Sequence, residues 1–171
     1  RDSLAPFFAV GDARSIAAVW QGPIVRIFDP LEAESAFSHG LPLIQVEDGG
    51  EIQPGEPNLE GARCSLDSLE MAAGLARSGA AGGLVTGPVS KSQLYAIGFT
   101  HPGQTEFVAE RCGIARDNAV MMLVGPGLKV VPVTTHVPLN KVSSLLSIDL
   151  IVAKALATAR GLTRHFGIEN P

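Results

Sequence analysis

The sequence predicts an α/β fold, a mainly parallel sheet with helices on both faces, and three observations carry that prediction. Short apolar runs closed by glycine or proline turns read as buried strands, as in Leu4–Val10 before Gly11-Asp12 and Pro23–Phe28 before Asp29-Pro30. Stretches with three- and four-residue apolar spacing lie between such runs, the longest being Leu59–Ser78, where Leu66, Leu69, Ala73 and Ala76 share a face. The two patterns alternate along the chain, which favours parallel strands joined by right-handed helical crossovers.

In chain order, Ala13–Gln21 has helical composition, with Ile16, Val19 and Trp20 on one side. Glu32–Phe37 predicts a helical turn, and Leu43-Ile44-Gln45-Val46 a strand in irregular, Gly- and Pro-rich surroundings. The acidic residues nearby, Glu47, Asp48, Glu51 and Glu56, lack the alternation of a calcium loop and read as a solvated face. Gly79, Gly82 and Gly83 release the long helix into a Leu84-Val85 strand that stops at Thr86-Gly87-Pro88. Ser90 and Lys91 open a helix carried by Leu94, Tyr95 and Ile97 to Gly98. A polar knot, Thr100–Glu106, leads into a helix over Thr105–Arg111. Ala119–Val124 is expected as a strand, and Leu128–Thr135 as another that ends in His136. Asn140 or Ser143 would then cap a final helix running to about Phe166. Thr86 and His136 are thus expected at the carboxyl ends of strands, on the same side of the sheet, where α/β folds bind ligands.

Composition narrows the function classes. The chain has 171 residues, 46% hydrophobic and 18% charged, with a formal net charge of −4, which suits a globular domain and not a disordered one. No Lys/Arg cluster stands out, so nucleic acid is not expected as a partner. No apolar run approaches the roughly 20 residues that span a bilayer, and no secretory leader is evident, so no membrane partner and a cytoplasmic location are expected. Cys64 and Cys112 lack metal or redox spacing and read as reduced thiols. A start at Arg1 and an end at Gly167-Ile168-Glu169-Asn170-Pro171, an approach to a further strand, suggest a stretch of a longer protein.

Two segments are candidate functional sites. Thr86-Gly87-Pro88-Val89-Ser90-Lys91 joins a strand, a glycine turn and a helix start bearing a lysine, an arrangement suited to an anionic group. It is not a nucleotide P-loop, because no second glycine precedes the lysine, and no GxGxxG dinucleotide fingerprint occurs. An acyl-phosphate transferase on a related scaffold is a milder rival. His136 follows a β-branched run at a strand end. A lone histidine in such a place is more often a structural residue than a metal ligand. His39, in a Gly-Pro turn, and His165, near a helix C-terminus, have weaker cases still.

Three motifs in order change that balance: Val85-Thr86-Gly87-Pro88-Val89-Ser90-Lys91, Pro102-Gly103-Gln104-Thr105-Glu106-Phe107 and Thr134-Thr135-His136-Val137-Pro138-Leu139. Together with the early FFAVGD and closing FGIENP flanks, they resemble the 4-hydroxythreonine-4-phosphate dehydrogenase family through essentially all 171 residues. The resemblance implies an isocitrate/isopropylmalate-dehydrogenase-like fold, with residues 1–98 in a first α/β lobe and 99–171 in a second, dimer-forming lobe. It implies oxidation, by NAD or NADP, of the secondary alcohol of 4-phosphohydroxy-L-threonine with loss of carbon dioxide, in pyridoxal 5'-phosphate (vitamin B6) biosynthesis. A divalent metal, zinc before magnesium or cobalt, would polarise the substrate oxygen within a homodimer's shared active site.

Residue by residue, the family's first metal histidine falls on His136. Its substrate-contacting His-Thr pair falls on Gln104 and Thr105, and Thr86 and Lys91 form a candidate substrate or phosphate loop. Glutamine at 104 departs from the family: it hydrogen-bonds but carries neither proton nor charge. His101, three residues earlier, is a candidate for partial compensation. The family's opening Gly-Asp-Pro-Ala-Gly-Ile-Gly segment and its C-terminal histidines are absent from this stretch, so the stretch alone is expected to be inactive. Two alternatives remain open: a non-catalytic paralogue that serves as a dimerisation module, and a related dehydrogenase for another phosphorylated hydroxy acid.

Overall fold

The computed structural model describes residues 5–46, 50, 53–115 and 118–171. The expected acidic face is therefore seen only at Glu56, which is exposed; Glu47, Asp48 and Glu51 lie outside the described residues. The chain divides into two compact units, Arg1–Thr100 and His101–Pro171.

The first unit is built on a parallel three-stranded sheet in the order β1-β3-β2, with β1 at Ala9–Gly11, β2 at Ile24–Arg26 and β3 at Leu41–Gln45. Ala9 pairs with Leu43 and Gly11 with Gln45, while Ile24 pairs with Leu41 and Arg26 with Leu43. β1 and β2 are shorter than the apolar runs that announce them, because a ladder needs a partner at each residue, whereas β3 starts at Leu41, two residues before the expected Leu43, and stops one before Val46.

Side-chain alternation separates two faces. On one, Ile27 packs with Ala33 and Ala36 of α2 (Ala33–Phe37), flanked by Phe8, Val25 and Ile44. Toward the other lies α3 (Leu59–Ser78), packed on β1 and burying Ala62, Cys64, Leu69 and Ala73. Gly11 lies under this helix; a Cβ there would sit 3.4 Å from Ile16 Cδ1 and 4.0 Å from Ser68 Oγ. Leu43, in the middle strand, is fully buried. Burying a leucine of this kind contributes roughly 1.5–3 kcal/mol.

Local sequence explains the helix ends. Asp12 caps α1 (Ala13–Ala17), which stops four residues before the expected Gln21. Asp29 and Glu32 form a reciprocal capping box ahead of α2. Asn58 Oδ1 accepts from Gly61 N at 2.8 Å to start α3, and Gly79, at φ 81°, ends it. The bounds of α3 agree with the periodicity.

The Leu84-Val85 strand is not formed. It pairs with no strand among the described residues, and Val85 is 98% exposed. An apolar dipeptide between Gly82-Gly83 and Gly87-Pro88 has little intrinsic structure and becomes a strand only where a neighbour supplies hydrogen bonds. The chain runs irregularly from there into α4 (Lys91–Ala96), anchored by buried Leu94 and Phe99.

The second unit contains α5 (Gln104–Arg111), an antiparallel ribbon of β4 (Leu123–Val124) and β5 (Lys129–Val130), α6 (Leu139–Leu145) and α7 (Ile148–Phe166). The expected Ala119–Val124 and Leu128–Thr135 strands contract to two residues each, turned by Pro126-Gly127. The pairing is antiparallel, not parallel, because so short a connection cannot make a crossover. The single final helix is instead two. Leu146 is extended at ψ 125°, and Ser147, not Asn140 or Ser143, caps α7 by accepting from Leu150 N at 3.2 Å. Lys154 Nζ donates to Ala119 O at 2.6 Å and so ties α7 to the residues before the ribbon.

Candidate functional site

The first candidate segment lies between α3 and α4. Thr86 is exposed on the irregular connection, and Lys91 is the first residue of α4 with no hydrogen-bond or ion-pair partner among the described residues. Ser90, immediately before it, sits 3.2 Å from the Ser92 hydroxyl. Leu94 holds the helix in place: it is 2% exposed, and the Tyr95 and Phe99 rings stack at 6.4 Å beside it. Lys91 is thus a cation on an anchored helix with its ammonium presented to solvent.

The second segment opens α5. Gly103 is buried and fully extended, and Gln104 and Thr105 are the first two helical residues, Gln104 half-buried and Thr105 exposed. Phe107, 2% exposed, fastens this end. The His101 ring meets it edge-on at 5.3 Å, and the Arg111 guanidinium lies 4.4 Å above the ring centre. Glu110 joins both: His101 Nε2–H donates to Oε2 at 2.9 Å and Arg111 Nη1 to Oε1 at 2.9 Å. The bond from His101, then its charge, holds the Glu110 carboxyl below its usual range. His101 is therefore a brace along α5, directed at Glu110. Glu106, in the second motif and the first turn of α5, keeps Oε2 buried and without a hydrogen-bond partner among the described residues.

His136 is not at the end of a strand. It stands six residues beyond β5, exposed, in the bend before α6. Its φ of 59° makes it the sole non-glycine residue in the left-handed region among the described residues. Histidine tolerates that region better than branched residues do, yet the conformation costs about 1–2 kcal/mol and marks functional turns often enough to be informative. The Thr86–His136 alignment on strand ends does not arise, since neither residue follows a paired strand.

Among the described residues, no group of three His, Cys, Asp or Glu side chains comes together to hold a metal ion. His136 by itself does not make a zinc site, which takes about three protein ligands. Cys64 and Cys112 are free thiols; burial pushes the Cys64 thiol up, so it remains protonated and unreactive.

One further cluster went unnoticed in the sequence. Asp12, 3% exposed, accepts from Ser15 N and Oγ and from Gln45 Nε2, while Gln45 Oε1 accepts from Ala13 N at 2.9 Å. Burial alone would raise its carboxyl. The Ser15 backbone N–H, Gln45 and the Ser15 hydroxyl, with the Arg14 charge, outweigh that and lower it. The signal available beforehand was the Asp-x-x-Ser spacing of a capped helix.

Comparison with known proteins settles the family. The family described as pyridoxal phosphate biosynthetic protein PdxA matches residues 4–171. This chain belongs to that family. It is 49% identical, over 170 residues and 99% of its length, to the 4-hydroxythreonine-4-phosphate dehydrogenase of Zymomonas mobilis, and covers 51% of that protein. It is also 49% identical over 178 residues to the Erythrobacter litoralis protein of the same name, of which it covers 53%. The crystal structure of the dehydrogenase of that name from Klebsiella pneumoniae superposes with a TM-score of 0.84 at 26% identity, over 99% of this chain and 53% of that one. The PdxA chain described here thus spans about half the length of the curated relatives it matches. The relatives are dehydrogenases, and the fold is α/β with a parallel sheet and helices, as in the PdxA structures.

Proposed function

We propose that this PdxA chain belongs to an enzyme that oxidises the secondary alcohol of 4-phosphohydroxy-L-threonine with NAD, the keto acid then losing carbon dioxide, in pyridoxal 5'-phosphate biosynthesis. The observation that carries this reading is the family match over residues 4–171. In it, Gln104 and Thr105 hydrogen-bond the substrate from the anchored start of α5, and Lys91, with Thr86, offers charge and a hydroxyl to its phosphate. A nicotinamide cofactor would accept the hydride. His136 would be one ligand to a divalent metal, zinc before others. The described residues do not supply the rest of a ligand set, so that role depends on groups outside them.

A homodimer fits the reading. Among the described residues α7 buries no side chain, and Ile151, Val152 and Leu156 stay 47%, 48% and 54% exposed, an apolar face suited to a partner. No single helix among the described residues is long and apolar enough to cross a membrane; a cytoplasmic location is part of the proposal.

The test is NADH formation from 4-phosphohydroxy-L-threonine by a polypeptide of the relatives' full length that contains this sequence. Turnover that depends on His136 and Thr105 supports the proposal. Turnover unchanged in His136→Ala refutes its metal role, and no turnover with added zinc, magnesium or cobalt refutes the activity. Gln104 favours a second reading, a non-catalytic paralogue that keeps the dimer surface, and a stable inactive dimer would be its signature. Turnover of a different phosphorylated hydroxy acid would point to a related dehydrogenase.

A further inference from the structure

The start of α5 holds a carboxylate oxygen that no donor among the described residues satisfies. Gln104, Thr105 and Glu106 are the first three residues of this helix after the extended Gly103. Helical side chains lean toward the N-terminus, so these three share the end of α5 that carries the second motif. Glu106 is half-buried, and its Oε2 is fully buried and accepts no hydrogen bond among the described residues.

Helix formation alone does not account for this oxygen. A glutamate at this helical position can reach back to the N–H of the cap residue, yet Oε2 makes no such bond to Gly103. A carboxylate is also favoured at the positive end of a helix, but an exposed one gains that attraction without burial. The nearest cations in sequence are directed elsewhere, since His101 Nε2 and Arg111 Nη1 both bond Glu110 at 2.9 Å. Arg116, beyond the far end of α5, lies outside the described residues. A buried carboxylate oxygen without a donor is costly, so it marks a place where a donor belongs.

We propose that Glu106 receives the α-ammonium of an amino-acid substrate, beside the contacts from Gln104 and Thr105. This role rests on the proposed use of 4-phosphohydroxy-L-threonine and adds the residue that recognises its amino group. An ammonium brings three N–H donors and a positive charge, so its bond to Oε2 is charge-assisted. The positive end of α5 by itself repels a cation, and the Glu106 carboxylate reverses that sign locally. Specificity follows. A ligand without the amine leaves the buried oxygen unpaired, and a site built around a hydrogen bond rejects a ligand that cannot make it.

The test is calorimetric titration of a polypeptide of the relatives' full length that contains this sequence. The ligands are 4-phosphohydroxy-L-threonine and its deamino analogue, 3-hydroxy-4-phosphobutanoate of the same C3 configuration. The wild type should bind the amino acid about tenfold or more tightly than the analogue. Glu106→Gln keeps the shape and removes the charge. It should weaken the amino acid by about tenfold or more and leave the analogue within about twofold, so that the preference disappears. Glu106→Asp, which keeps the charge on a shorter stem, should retain part of the preference, and thermal melting of each variant controls for folding. Absence of a preference in the wild type, or of saturable binding of the amino acid, overturns the proposal. An equal loss for both ligands in Glu106→Gln also overturns it and gives Oε2 to a protein group such as Arg116. Unchanged amino-acid affinity in Glu106→Gln overturns it as well. NADH formation, measured in parallel, keeps the two readings apart. Preference for the amine through Glu106 without NADH refutes the dehydrogenase activity alone, and NADH formation without that preference refutes the Glu106 role alone.

Discussion

Gln45, at the end of β3, reaches across the carboxyl edge of the sheet and donates from Nε2 to Asp12 Oδ1 at 2.9 Å, just beyond the end of β1. One amide thereby satisfies a buried carboxylate, and its Oε1 takes the N–H of Ala13, which the start of α1 leaves without a helical partner. The pair fixes the β1–α1 turn to the central strand.

Asp12→Ala should lower unfolding free energy by about 1–3 kcal/mol, since it strands Gln45 and removes the helix cap. Chemical denaturation at neutral pH measures this, and Asp12→Asn should cost less. The pH dependence has a definite sign. The folded carboxyl is depressed below 3.8, so its stabilisation is present above that value and is lost as pH falls through the lower folded value. A wild-type acid melt should show this loss, and Asp12→Asn should not.

Leu94→Ala should destabilise the first unit by about 2–5 kcal/mol, because a side chain only 2% exposed is replaced by a cavity. With its anchor gone, α4 should lose amide protection from hydrogen exchange, Lys91 with it. Protection equal to wild type in α4 would show that Phe99 and Tyr95 suffice.

At His136 backbone and side chain are separable. His136→Gly relieves the left-handed conformation and should raise stability by up to about 1 kcal/mol, while His136→Val should lower it. Under the proposed function both should abolish turnover in the full-length enzyme, whereas Cys64→Ser should leave it near wild type. Thermal melts paired with NADH assays distinguish the two contributions.

Gln104→His introduces the histidine that the family resemblance places at this position. In the full-length enzyme it should maintain or raise turnover of 4-phosphohydroxy-L-threonine, read as kcat/KM. A fall of tenfold or more, about 1.4 kcal/mol of transition-state stabilisation, would mean that Gln104 is tuned to another substrate. His101→Phe keeps the edge-on ring contact with Phe107 but loses the hydrogen bond to Glu110, and an unchanged kcat/KM in this variant would place His101 outside the substrate site.

The proposed dimer face can be checked by light scattering across protein concentration. A charged residue in the second turn of α7, Val152→Lys, should shift the distribution toward monomer without loss of helix content.

By itself the sequence determined what is local. Leu59–Ser78 reads as a helix because its apolar spacing, its Asn58 cap and its Gly79 stop are all encoded within a single segment. The α/β class follows from alternation of patterns, and the motif residues Thr86, Lys91, Gln104, Thr105 and His136 are legible as strings. Tertiary structure decided what depends on partners distant in sequence. Leu84-Val85 and Val131–Thr134 have strand-like composition yet form no ladder, since strand hydrogen bonds come from a neighbour that composition cannot name. Asp12 and Gln45 lie 33 residues apart and meet only through the β1–β3 register. His101, near Gln104 in sequence, is turned along the helix by the packing of Phe107 and the charge of Glu110, contacts that no spacing rule contains.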